Sequence, residues 1–292
     1  MHEEFQASLL RATLGHFKVD KETVDLLCHY AVVPDKKATE KIANYETPEP
    51  EDDWDRLRNG LSWIGNAFLQ LGTWAYLHGS GAPQRFLDHL ESARNNLGEG
   101  TSHGEANHEV GIKNLGYCLH YVTDTGTPFH SKPLSETLLE IVEPYRNREG
   151  ELTDAENARI IEETVWAFSM RLVHHSHFEK KLLLDWEHPE TKSAYVASME
   201  RGIKEANDSS LMVGPSGVGE ALKGEIEELR RFSASQYELL DKLYRRIQAA
   251  TRGSERKIPA PFEAELTKIG LACTHRISRL TARTLSLFFE PL

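Results

Sequence analysis

Apolar residues recur along this chain at steps of three and four, the mark of helices that each bury one face. Residues 4–30 carry the pattern as one helix or two. Phe5, Leu9, Ala12 and His16 share a face, and Val24, Leu27 and Cys28 resume it after a break near Asp20. Pro34 ends that segment, and Asp35 follows in the apolar approach AVVPD, where it reads either as a turn or capping residue or as a carboxylate with a task. Residues 36–55 are polar, with Pro48 and Pro50 among acids, and suggest a surface loop or short helix. The stripe Trp54, Leu57, Leu61, Ile64, Phe68, Leu71 and Ala75 then predicts a buried helix over 54–77, with His78 at its end. A short helix over 86–97, a Gly-rich turn over 98–108 holding His103 and His108, and helices over 109–125 and 134–145 follow.

The next helix begins at Thr153, with Asp154 and Glu156 in its first turn. Its expected buried stripe runs Ile161, Val165, Phe168, Leu172, His175, Glu179 and Leu182. An imidazole and a carboxylate thus occupy two successive core positions. Burial of such a pair costs several kcal/mol unless a metal or a tight His–Glu hydrogen bond compensates. On the same pattern His174 and His177 point elsewhere, into solvent. Residues 192–206 read as a further helix and 207–219 as a Gly/Pro/Ser linker, whose GPSGVGEALKGE lacks the Gly-Lys-Ser/Thr ending of a phosphate loop. Two long helices, near 220–250 and 262–289, finish the chain with stripes that suit either the core or a second copy in a homo-oligomer. No strand pattern and no internal repeat interrupts this all-α reading.

Leu115 to Lys132, LGYCLHYVTDTGTPFHSK, holds the densest chemistry. His120 and Asp124 are four apart and share a helix face. Gly126 and Pro128 then end the helix and fix the backbone ahead of His130. The spacing H-x3-D-x5-H at a rigid helix end is metal-ligand chemistry that suits zinc. Glu105 and His108 make one E-x-x-H, where a di-iron bundle requires two.

Composition narrows the setting. A chain of 292 residues with 39% hydrophobic content can bury a sizeable core. A formal net charge of −11 disfavours passive attraction to nucleic acid or to anionic membrane, so no nucleic-acid partner is expected. Three scattered cysteines, Cys28, Cys118 and Cys273, form no CxxC pair and fit a reducing compartment. No basic stretch followed by an apolar block opens the sequence, and no run has the length of a membrane span. The expectation is a cytoplasmic protein with no transmembrane segment.

In this order, His16, Asp35, LGYCLHYVTDTGTPFH and the later H-x3-E of His175 and Glu179 resemble the zinc-dependent phospholipase C family, which includes fungal single-strand-specific nucleases. The resemblance covers about residues 10–182. It implies an all-α, multi-helix bundle of the phospholipase C type, with two or three Zn2+ per chain clustered in its core. Residues 1–185 would form the metal-binding core and 186–292 extra C-terminal helices packed on it, as one continuous domain. It also implies that His120, Asp124 and Asp35 hold the first zinc, that Asp124 bridges to a zinc held by His16, and that His130, His175 and Glu179 hold the last. The family's processed N-terminus has no visible counterpart here, with Met1, His2 or Glu3 as substitutes. Its further histidine falls at Thr47, leaving His78, ahead of His103 and His108, to serve. The implied activity is hydrolysis of a small-molecule or lipid phosphoester carrying an apolar group, with Asp35 and Asp124 as catalytic carboxylates. The rivals are a nuclease or nucleotidase at the same site, and a helical binding or assembly protein with structural or vestigial metal sites.

Overall fold

The structure is a computed structural model, and residues 3–34, 81–97, 105–131, 134–145, 152–208, 218–251 and 258–292 are described. Among them the chain is all-α. No strand forms; Phe17 and Pro291 make an isolated antiparallel bridge. No helix is long and apolar enough to cross a membrane.

Helices α1 (Glu3–Leu14) and α2 (Lys21–Val32) divide where the sequence broke, because Asp20 caps α2 by accepting from the Thr23 amide at 3.0 Å. Helix α3 (Ala82–Leu97) packs along α4 (Glu105–Thr125), which also receives α2. The Gly-rich turn expected over 98–108 is therefore shorter. Helix α4 already starts at Glu105 and places His108, exposed, in its first turns. The expected helix at 54–77, and with it Asp35, His78 and His103, lies outside the described residues.

From Leu115 to Ser131 every residue is buried, so the end of α4 and the turn after it are enclosed on all sides. Two glycines permit this. A Cβ on Gly116 would meet Tyr30 Cβ at 2.5 Å, and one on Gly126 would meet Ile277 Cγ1 at 2.2 Å, so α2 and the last helix, which carries Ile277, approach this backbone only because these positions lack side chains. The remaining helices are α5 (Leu134–Val142), α6 (Asp154–Ser169), α7 (His175–Glu187), α8 (Pro189–Asp208), α9 (Val218–Thr251) and α10 (Ala260–Leu285), of which α9 and α10 pack on α4. Thr153 and Glu156 form the expected capping box at the start of α6. One apolar cluster runs from Phe5 through Leu119 and Leu182 to Leu240 and Leu285, so the C-terminal helices α8 to α10 are part of the same core as α1 and α4. Cys28, Cys118 and Cys273 are buried free thiols.

The stripe expected on α6 and α7 is overturned in its first half. Ile161, Val165 and Leu172 are 48%, 62% and 69% exposed, whereas Ile160, Thr164, Ala167 and Met170 are buried. A π turn, Met170–His174, separates the two helices and breaks the continuous 3.6-residue period on which the stripe relied. Beyond the turn the pattern holds, with Phe178 and Leu182 buried and His175 and Glu179 mostly so.

Candidate metal centre

His120 is wholly buried on α4, and its ring is fixed from both sides. Its Nδ1 lies 2.8 Å from the Ala31 carbonyl at the end of α2, and the Gln6 side-chain amide of α1 lies 3.2 Å from the same nitrogen. A carbonyl only accepts, so Nδ1 carries the hydrogen, and the Gln6 amide, which donates to Thr123 Oγ1, makes no hydrogen bond to it. Nε2 then faces Asp124 Oδ2 at 3.0 Å, and a cation, proton or metal, must sit between that nitrogen and the carboxylate. Gln6 is held in turn by Thr123 Oγ1 at 2.6 Å, which donates to the His120 carbonyl.

The turn after α4 brings His130 to the other side of Asp124. The Gly126 amide donates to the Val122 carbonyl and the Thr127 amide to that of Asp124, and Pro128 opens a single 3-10 turn that ends on His130. His130 Nδ1 lies 3.4 Å from Asp124 Oδ1. Its Nε2 lies 3.2 Å from His175 Nε2, which is 2.9 Å from Glu179 Oε1. His120, Asp124, His130, His175 and Glu179 thus form an unbroken series of contacts. The Phe129 ring stacks on His175, centroids 5.2 Å apart at 20°, and Arg171 of the π turn donates to the Phe129 carbonyl.

Among the described residues His130, His175 and Glu179 form a group whose donor atoms all lie within 4.8 Å of one another, as a metal site requires. Ligands about 2.1 Å from a common ion stand about 3.0 Å apart in octahedral and about 3.4 Å apart in tetrahedral geometry. The observed contacts of 2.9 and 3.2 Å fall beside that range. Two imidazoles and a carboxylate are a donor set that zinc accepts, and the group fits a divalent metal of that kind.

Protonation favours the same use. Burial alone would raise the Asp124 pKa, but the imidazoles of His120 and His130 hold it well below the ordinary carboxylate range. Burial pushes His130 down to about 3, against the opposing pull of Asp124. Near neutral pH the centre therefore offers an ionised carboxylate and a neutral imidazole, the forms that ligate. The metal-free protein is correspondingly acid-sensitive. Between about 3 and the unperturbed value near ~6.5, unfolded His130 binds a proton that the folded chain refuses, so stability rises with pH across that window. His174, lowered to about 4 chiefly by burial, adds in the same sense but less, being half-buried. Melting in the presence of a chelator is expected to fall by several degrees from pH 7.5 to pH 5. A midpoint that stays level or rises on acidification would contradict this assignment.

Other expectations fare differently. His16 lies half-buried just past α1, its carbonyl accepting from the Leu292 amide at 2.9 Å. His174 and His177 are not solvated as expected. His174 stacks on Tyr244 of α9 at 4.2 Å, and His177 Nδ1 lies 2.9 Å from the Tyr244 hydroxyl. Gln6, the Ala31 carbonyl and Arg171 were not legible as parts of the site. Each reaches it from a distant segment, and only Gln6, a polar residue beside an apolar stripe, left any trace in the sequence. The chain matches no protein-family model, no curated protein and no solved structure.

Proposed function

We propose that this chain is a zinc-dependent hydrolase of phosphate esters, similar to phospholipase C and acting on an ester that carries an apolar group. The observation that carries this reading is the meeting of His130, His175 and Glu179, from two separate segments, in direct continuity with Asp124 and His120. His130, His175 and Glu179 would hold one ion, and His120 and Asp124, with Asp35, another. The chemistry zinc supplies when bound is charge neutralisation at a phosphate ester and a lowered pKa for water. The protein's own part is orientation and exclusion. Asp124 stays ionised and steadies both flanking imidazoles, while the buried end of α4 keeps bulk water from its carboxylate. A cleft of about 650 Å3 between α5, α6 and α9, lined by Ile141, Ile160, Trp166 and Tyr237 and rimmed by charged side chains such as Glu140, Arg159, Glu163 and Arg245, gives room for an ester with an apolar group and a charged end. Tyr237 of its lining packs edge-on with Phe129, ring centroids 5.9 Å apart.

The test is elemental analysis of protein purified without added metal, followed by turnover assays on a short-chain phospholipid, a chromogenic phosphodiester and single-stranded DNA. Two or three zinc ions per chain, with faster turnover of the lipid ester than of DNA, are expected. A metal-free protein, or one that hydrolyses none of the three, would remove the proposal.

A further inference from the structure

The start of α7 crowds three histidines and a carboxylate into six positions: His174, His175, His177 and Glu179. Carried forward at steps of three and four in a regular α-helix, the inward row Ile160, Thr164, Ala167 would arrive at 171, 174, 178, 181 and 185. Past the turn Leu182 and Trp186 are buried and His175 and Glu179 mostly so, each one position later, alongside Phe178 and Asp185, which are buried on the regular row. Between the two rows lies the π turn, closed by the His175 amide on the Met170 carbonyl, five residues back. A π turn takes up about one residue more than an α turn, which accounts for the offset.

We propose that the π turn Met170–His174 is a positioning device for the metal centre, selecting His175 and Glu179 as its ligands over His174. The device sorts the neighbouring imidazoles between two tasks. His175 turns to His130 and Glu179, and His174 and His177 close on Tyr244. The same turn supplies Arg171, whose side chain holds the Phe129 carbonyl beside His130, while the Phe129 ring backs His175. The surplus is carried on the outside of the turn, where Leu172 and Val173 are 69% and 60% exposed. The inference rests on the metal reading for its purpose, but its geometry stands without it.

Opposite indels separate this arrangement from an ordinary helix. Deletion of Val173 removes the surplus residue, so the turn becomes α-helical with both flanks in phase. Zinc affinity is expected to stay within about threefold of wild type, with an unchanged Co2+ absorption spectrum. Insertion of one alanine after Leu172 swings α7 by about 100° relative to α6, and affinity is expected to fall at least about a hundredfold. In a regular helix either change would swing α7 by about 100°, so the deletion would be as damaging as the insertion. Loss of zinc binding in a folded deletion variant, or its retention in the insertion variant, overturns the proposal. Circular dichroism and melting establish folding. If either variant fails to fold, coupling across hydrogen bonds in the intact chain decides: the His175 amide must couple to the Met170 carbonyl, and coupling to Arg171 instead overturns the inference. A wild-type chain that binds no zinc would defeat the proposed function, while this coupling would still decide the turn.

Discussion

Asp124→Asn is expected to abolish the proposed phosphoester turnover, by a thousandfold or more, while the chain keeps its fold. Asparagine has nearly the same volume, so the fully buried site does not collapse or overpack. What changes is charge on both sides of the carboxylate. Oδ2 faces His120 Nε2 at 3.0 Å, and the Ala31 carbonyl has already committed the Nδ1 hydrogen of that ring. A neutral amide there no longer holds a cation against His120. Oδ1 faces His130 Nδ1 at 3.4 Å, where loss of a carboxylate behind a ligating imidazole typically weakens metal binding by about 10- to 100-fold. With both effects in one residue, a thousandfold loss, about 4 kcal/mol, is a conservative expectation. Measurement of kcat/KM and of zinc per chain in wild type and variant checks it. Turnover that survives the substitution would exclude the zinc hydrolase reading, because Asp124 contacts both His120 and His130.

Which parts of this architecture were legible depended on whether their cause was local. His120 and Asp124 declare themselves because a separation of four fixes a shared face in any α-helix, and Gly126 and Pro128 declare the turn because their backbones allow little else. His175 and Glu179 are legible as a pair for the same reason. Their relation to α6 was not. Ile161, Val165, Phe168 and Leu172 read as a buried stripe because they are large and apolar at helical spacing, and the inward row contains the small or polar Thr164 and Ala167. Hydrophobic periodicity has no mark for a π turn, so the two halves of one apparent stripe lie on opposite faces. The neighbours of His120 were hidden for a different reason. Gln6 and the Ala31 carbonyl lie 114 and 89 positions away in the chain, and a backbone carbonyl carries no residue identity at all. The burial of α4 on every side was likewise invisible, since its causes, Tyr30 against Gly116 and Ile277 against Gly126, are contacts between helices far apart in sequence.

Removal of metal with a chelator is expected to lower the melting temperature of the wild-type protein by about 10 °C, and His175→Ala is expected to shrink the difference to what the ion proposed at His120 and Asp124 contributes. His130, His175 and Glu179 present donor atoms 2.9 and 3.2 Å apart in a largely buried place, an arrangement that shared protons satisfy only partly and a divalent ion satisfies fully. A ligand that binds only the folded chain stabilises it by RT ln(1 + [L]/Kd), or about 4 kcal/mol at a thousandfold excess over Kd. At roughly 2–4 °C per kcal/mol for a chain of this size class, that excess gives about 10 °C. The alanine variant has a cost of its own, because the Phe129 ring loses the imidazole stacked on it at 5.2 Å, so its metal-free melting point falls by a few degrees at most. Two effects are thereby separated in one experiment. The packing loss lowers the variant with or without chelator, and the term for the ion on His175 appears only as the part of the chelator response that the variant loses. A variant that responds to chelator as fully as the wild type would place the bound metal elsewhere than on His175. A wild type that ignores chelator would show that the proximity of these three side chains is maintained by shared protons alone, and that the meeting of α7 with the turn after α4 is structural rather than metal-binding.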